Sequence, residues 1–267
     1  MRSVTVGAMR MPAAAGTFYP EDRESLIGTV DRLLAATRPW SGAMPWGIVV
    51  PHAGYRYSGP VAASAYAVVL AAREVLDRIV IIGPDHFVPL VGCAIPSPGT
   101  WRTPLGEAAI DAEMREVAIR AGCAVDDEPH AHEHALEVQL PFLQRALGER
   151  FRFLPVAVGQ VPSDDVATVL SSLAPHADLV VVSTDLSHYH DLETARLLDR
   201  RTAEAIQALD PDAIGPSDAC GVFALRGAVA FARQASLSIR LLDLRTSGDT
   251  TGDPGRVVGY GAFAIER

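Results

Sequence analysis

The chain has 267 residues, 49% of them hydrophobic, and 23 Lys and Arg against 32 Asp and Glu leave a formal charge of −9. That length and apolar content suit a substantial buried core. The acidic balance argues against a nucleic-acid or anionic-membrane surface, and no run of about 18 apolar residues offers a membrane span. Cys93, Cys123 and Cys220 are odd in number and widely spaced. In a chain too large to need staples they read as reduced thiols of a cytoplasmic protein. The opening MRSVTVGAMRMPAAAGTFYP lacks a leucine-rich centre and is interrupted by Arg10, so it does not read as a signal peptide.

Residues 12–20 read as a Gly/Pro-bounded loop whose Phe18 and Tyr19 pack or gate a pocket. Leu26, Ile27, Val30, Leu33 and Leu34 recur at helical spacing over 21–36, which predicts an amphipathic helix. Gly47 to Val50 is a buried strand, stopped by Pro51 because proline has no ladder donor. His52 then stands just past the strand's carboxyl end, where open α/β sheets place their ligands. Ser58 and Pro60 look like a helix start, with the helix running over 60–76.

Asp77 to Ile82 repeats the arrangement. Its β-branched run is what a strand covered on both faces requires, and His86 follows Gly83-Pro84. Two strands that each deliver a histidine to one edge say more than either alone. Residues 91–95 form a short strand, 101–106 a turn-rich loop and 107–121 a helix by pattern. His130, His132, Glu133, His134 and Glu137 are the densest polar cluster, opening a helix with Leu136, Leu140 and Leu143 on its apolar face. His130, His134 and Glu137 would share one face of it, and Pro141 would kink it. The order HEHALE is not the HExxH metalloprotease pattern, so the cluster reads as a pocket wall supporting a nearby site or as an exposed cap.

Residues 153–158 are a strand and 163–174 a helix with acidic residues in its first turn. Ala177 to Ser183 is the third strongly buried strand, running into Thr184-Asp185-Leu186-Ser187-His188-Tyr189-His190. A helix over 191–209 follows. Cys220 opens the apolar helix 222–234, where the helix N-terminus favours thiolate, although such a cysteine also serves as a small buried hydrophobe. Strands at 237–245 and 256–265 complete the sheet. The unbroken alternation predicts one α/β domain over 1–267, a mixed sheet flanked by helices on both faces.

Strand ends and one helix start thus hold His52, His86, Asp185, His188 and Cys220. With no CxxC or HxxxH spacing, these residues cannot make a local zinc finger; the fold must assemble them, as it does in catalytic metal sites with an open position. AGTFYP at 15–20, PHAGYRYSG at 51–59, GPDHF at 83–87, TPLG at 103–106, EHALEVQLPFL at 133–143, STDLSHY at 183–189, CG at 220–221 and GYGAFAI at 259–265 occur in the order seen in the Memo family. The chain resembles that family over nearly its whole length; bacterial members are also called AmmeMemoRadiSam system protein B. Where the family commonly has GPSHH, this chain has Asp85 and Phe87 around His86.

The resemblance implies a fold similar to class III extradiol dioxygenases of the LigB type. It also implies a non-haem metal on His52, His86 and Cys220, with His188 as acid/base supported by Asp185. Iron(II) is the expected metal, with zinc or copper as alternatives, since a thiolate in place of a carboxylate is softer. The expected function is an iron-dependent redox protein or oxygenase acting on a small-molecule or peptide ligand with radical-SAM and AMMECR-type partners. A metal- or peptide-binding adaptor and a zinc-dependent hydrolase are the alternatives.

Overall fold

A computed structural model describes residues 9–148, 150–251 and 253–267. Residues 1–8 of the stretch assessed as a signal peptide lie outside the described residues. The chain opens with a short strand β1 (Met9–Arg10), the loop 12–20 and helix α1 (Arg23–Ala35). Asp22 caps α1 by accepting from the Ser25 amide at 2.8 Å, and Leu26, Val30 and Leu34 are its buried stripe. Strand β2 (Gly47–Val50) and helix α2 (Tyr55–Ala71) follow. Helix α2 begins five residues before the expected Pro60, which sits inside it. Its missing N–H deprives only the carbonyl of Arg56, an exposed residue that water can reach, so the proline is tolerated there.

Next come β3 (Arg78–Pro84), β4 (Cys93–Ile95), β5 (Thr100–Thr103), β6 (Gly106–Ile110), helix α3 (Ala112–Arg120) and β7 (Ala124–Val125). The loop expected at 101–106 and the helix expected from 107 are in fact the antiparallel β5–β6 hairpin, with the helix confined to α3. Trp101 and Thr103 on β5, and Ala108 and Ile110 on β6, are buried in alternation, a period of two that the alanines of the segment obscure.

The helix expected through the polar cluster is also broken. Helix α4 (Glu128–Ala131) is one turn, residues 132–136 leave the helical path, a 3₁₀ turn covers Glu137–Gln139, and α5 (Leu140–Leu147) carries Pro141 in its first turn. Pro141 therefore starts a helix rather than kinking one. His130, His134 and Glu137 consequently do not share a helical face.

The remainder is β8 (Arg152–Val158), α6 (Ser163–Leu173), β9 (Leu179–Ser183), β10 (His188–His190), α7 (Leu192–Gln207), a 3₁₀ turn at Pro211–Ala213, α8 (Val222–Gln234), β11 (Ser238–Thr246), α9 (Ser247–Thr251) and β12 (Val257–Glu266). The strands form one mixed sheet, β1-β5-β6-β8-β3-β9-β2-β12-β10, with β11 also on β12, β4 on β8 and β7 on β4. Its centre, β6-β8-β3-β9-β2, is parallel. Helices α1, α2 and α5 pack against one another, and α6 packs against α3 and α8. At Gly227 of α8 an added Cβ would lie 2.3 Å from Val166 of α6, so only glycine permits that approach.

Register explains the site. Val50 pairs with Ser183 and Ile82 with Val182, so β2, β3 and β9 run in one direction and end together. Ile79 to Ile82 and Leu179 to Val182 are essentially inaccessible, the apolar weight that holds these ends in place.

Candidate metal site

Beyond those three strand ends lies an open cavity of about 580 Å³ whose wall includes Phe18, His52, His86, His134, Asp185, His188 and Cys220. The structure thus brings together all five residues expected from the sequence and adds His134. His52 is 2% exposed. Burial, followed by the nearby His86, lowers its pKa to about 3, so the imidazole is neutral at ordinary pH, the form that binds metals. Its Nδ1 lies 3.0 Å from Ser183 Oγ and its Nε2 3.1 Å from Cys220 Sγ.

His86 sits beyond β3 against the fully buried Glu133. The carboxylate accepts from the His86 amide at 2.6 Å and the Ala135 amide at 2.6 Å, and its two oxygens lie 3.1 and 3.2 Å from His86 Nδ1. Burial alone would lower the His86 pKa, but the Glu133 hydrogen bond and charge outweigh it and the net direction is up. Glu133 itself is held down to about 2: burial opposes ionisation, and His86 and the Ala135 amide overcome it. His134 stacks on His86 with centroids 4.8 Å apart and on Phe18 at 3.9 Å, and burial lowers its pKa to about 4. Asp85 folds back so that Oδ1 accepts from the amides of Phe87 and Val88. That turn leaves Phe87 58% exposed.

Asp185 follows β9 and is buried. Its Oδ1 accepts from the amides of His52 at 2.7 Å and Ala53 at 3.3 Å, which ties the two strand ends together. Burial raises its pKa. The His188 ring is oriented by its Nδ1, 2.7 Å from the Leu186 carbonyl, so Nδ1 is the donor and Nε2 is the atom left for other partners.

Cys220 arrives from the start of α8. Gly221 makes this possible: an added Cβ would lie 2.9 Å from the Ser183 carbonyl and from Thr184. Cys220 Sγ accepts from the Asp185 amide at 3.3 Å. Helix α8 begins only at Val222, and burial followed by the charge of Asp185 pushes the thiol pKa up. In the metal-free side chain desolvation thus opposes the thiolate that the helix N-terminus was expected to favour. Cys123 is buried, and its pKa is raised by a hydrogen bond with Cys93 and by burial.

Among the described residues, two groups of side chains have ligand atoms mutually within 4.8 Å: His52, His86 and His134, and His52, Asp185 and Cys220. The expected His52, His86 and Cys220 are divided between them, with His52 common to both. This donor set suits a first-row transition ion, since imidazoles and a thiol are its preferred ligands.

Of the other members of the polar cluster, His132 is exposed while His130 and Glu137 are buried supports, so the exposed-cap reading does not describe the cluster as a whole. His130 is buried against Trp101, with Nε2 3.2 Å from the Ala94 carbonyl. Glu137 accepts from Arg10 at 2.5 Å, from the amides of Ala13 and Ala14, and from the Tyr19 hydroxyl, closing loop 12–20. Arg10 also donates to the carbonyls of His130 and Glu133, both at 2.6 Å. Sequence reasoning missed the joint placement of Glu133 and His134 beside His86. The signal was the EH pair at 133–134, which a continuous helix would have faced elsewhere.

A family model described as Memo-like protein matches residues 10–264. A MEMO1 family protein of Methanopyrus kandleri is 37% identical, with 97% of this chain and 99% of that protein covered. One from Aeropyrum pernix is 35% identical over 96% and 99%, and one from Aquifex aeolicus 36% over 94% and 97%. Matched along almost its entire length by relatives of its own size, the chain belongs to the Memo family.

Proposed function

We propose that the cavity holds a first-row transition metal and that the protein is an iron(II)-dependent, dioxygenase-like redox protein. The observation that carries this reading is the convergence of two ligand groups on the single buried imidazole of His52. Under this proposal His52 and His86 hold the metal as neutral imidazoles and Cys220 as thiolate, since a cation at the site would offset the burial that disfavours it. Bound iron(II) would supply open positions for substrate and oxygen. His188, with Nδ1 committed to Leu186, takes a proton at Nε2, and buried Asp185 supports the resulting charge. Phe18 limits water beside His134. The likeness to class III extradiol dioxygenases, the cytoplasmic setting and the radical-SAM and AMMECR-type partners belong to the same proposal, carried by the family resemblance. The three-imidazole group favours a second reading, a zinc hydrolase, because three histidines with an open position are a known catalytic zinc arrangement.

Anaerobic purification followed by metal analysis tests both. The expected result is about one iron per chain in the parent, a sharp loss in His52→Ala and His86→Ala with the fold retained, and weakened binding in Cys220→Ser. Zinc retained fully by Cys220→Ser would favour the hydrolase. Undiminished binding by both histidine variants would show the site to be misassigned.

A further inference from the structure

The hydrogen bonds behind the cavity determine which ring nitrogen each histidine turns toward it. Ser183 Oγ lies 2.6 Å from the Ala135 carbonyl and receives a Gln139 side-chain N–H at 2.9 Å. Gln139 cannot be turned around, because its nitrogen also donates to the Pro51 carbonyl at 3.1 Å and its oxygen accepts from Tyr66. Ser183 has one proton. Were it given to His52, the hydroxyl and the Ala135 carbonyl would be two unbonded oxygens at 2.6 Å, a repulsive contact. The proton therefore goes to Ala135, and the His52 nitrogen 3.0 Å away, Nδ1, must be the donor. Glu133 leads to the same result for His86. Both of its oxygens are engaged by backbone amides at 2.6 Å, so it acts as an acceptor toward His86 Nδ1.

We propose that Ser183 and Glu133 are positioning residues that hold His52 and His86 in the Nδ1–H form, so that each ring turns a bare Nε2 to the cavity as its metal-binding atom. This rests on the metal reading above for what the Nε2 atoms bind, but not for the tautomers themselves. Two different acceptors act on two rings, so the pair of Nε2 atoms is set before any ion arrives. The contact between His52 Nε2 and Cys220 Sγ agrees with it: a bare nitrogen there can accept from the thiol. Partners that fix the tautomer and orientation of a ligating histidine commonly change metal affinity by roughly 10- to 100-fold when removed.

The test is a long-range proton–nitrogen correlation spectrum of the metal-free protein labelled at histidine nitrogen, recorded at alkaline pH, together with competition titrations of zinc(II). The parent is expected to show Nδ1–H for both His52 and His86. Ser183→Ala, which removes one oxygen, should release His52 into a mixture of tautomers and leave His86 unchanged; Glu133→Gln should do the converse. Each should weaken zinc binding roughly 10- to 100-fold. An Nε2–H signal for either ring in the parent overturns the proposal, and the parent spectrum decides this even if a variant fails to fold. Folded variants whose tautomers and zinc affinity match the parent overturn it as well. Nδ1–H in both rings of a parent that binds neither zinc(II) nor, under anaerobic conditions, iron(II) supports the tautomer assignment and overturns the metal reading alone.

Discussion

Burial sets the charge state of individual residues in this protein more than their immediate sequence neighbours do. Cys220 illustrates it at the cavity. Asp199 illustrates it behind the cavity, where α7 meets β10. This carboxyl is 1% exposed, accepts from the Ser187 amide at 3.0 Å, and leaves Oδ2 without a partner. Burial raises its pKa from 3.8 to about 6, against the Ser187 hydrogen bond that lowers it. The folded protein binds this proton more tightly than the unfolded chain. The stability it contributes is thus complete below pH 3.8 and is lost as pH rises through about 6. Asp199→Asn keeps an oxygen for Ser187 and has no proton to lose. Its stability relative to the parent should rise across that window, by about 3 kcal/mol at most at neutral pH. Urea denaturation of both proteins at a series of pH values measures this. Parallel curves from pH 4 to 7 would show that Asp199 does not titrate in that range.

At the scale of elements, the segment 128–147 is held by its partners rather than by its own helical tendency. Arg10 on β1 and Glu137 on the 3₁₀ turn form an ion pair with side chains 6% and 0% exposed, and Arg10 also lies over the Trp101 ring at 4.1 Å. The same Glu137 anchors loop 12–20, whose Phe18 packs on His134. Replacing Glu137 with Gln would leave the Arg10 guanidinium buried without its counter-charge, at a cost of about 3–5 kcal/mol. Chemical denaturation should show that loss, and amide exchange should show loop 12–20 opening before the central strands. A variant as stable as the parent, with the loop equally protected, would mean the pair does not clamp this segment.

For the molecule as a whole, among the described residues no helix is long and apolar enough to cross a membrane. With a formal charge of −9, the protein should show no salt-sensitive affinity for duplex DNA or RNA. Fluorescence anisotropy with labelled duplexes at low and moderate salt checks this; binding that falls steeply with salt would reveal a concentrated basic surface that the net charge hides.

What the sequence determined by itself was the set of buried parallel strands and the residues just beyond them. Runs such as Ile79–Ile82 and Leu179–Val182 are apolar without interruption because both faces are covered, and that pattern is local. His52, His86, Asp185 and Cys220 were therefore legible as residues at one edge, and the family motifs reinforced them. Tertiary structure decided the rest. Residues 106–110 pair with β5 and β8 although their alanines suit a helix, because sheet hydrogen bonds and buried alternation outweigh a small propensity. The 132–136 break, which turns Glu133 and His134 toward His86, depends on Arg10, more than a hundred residues earlier, holding the carbonyls of His130 and Glu133. Which nitrogen faces the cavity, and whether Cys220 is thiol or thiolate, depend on groups converging from separate strands and helices. Interactions over such separations leave no periodicity in the chain, so only the folded arrangement shows them.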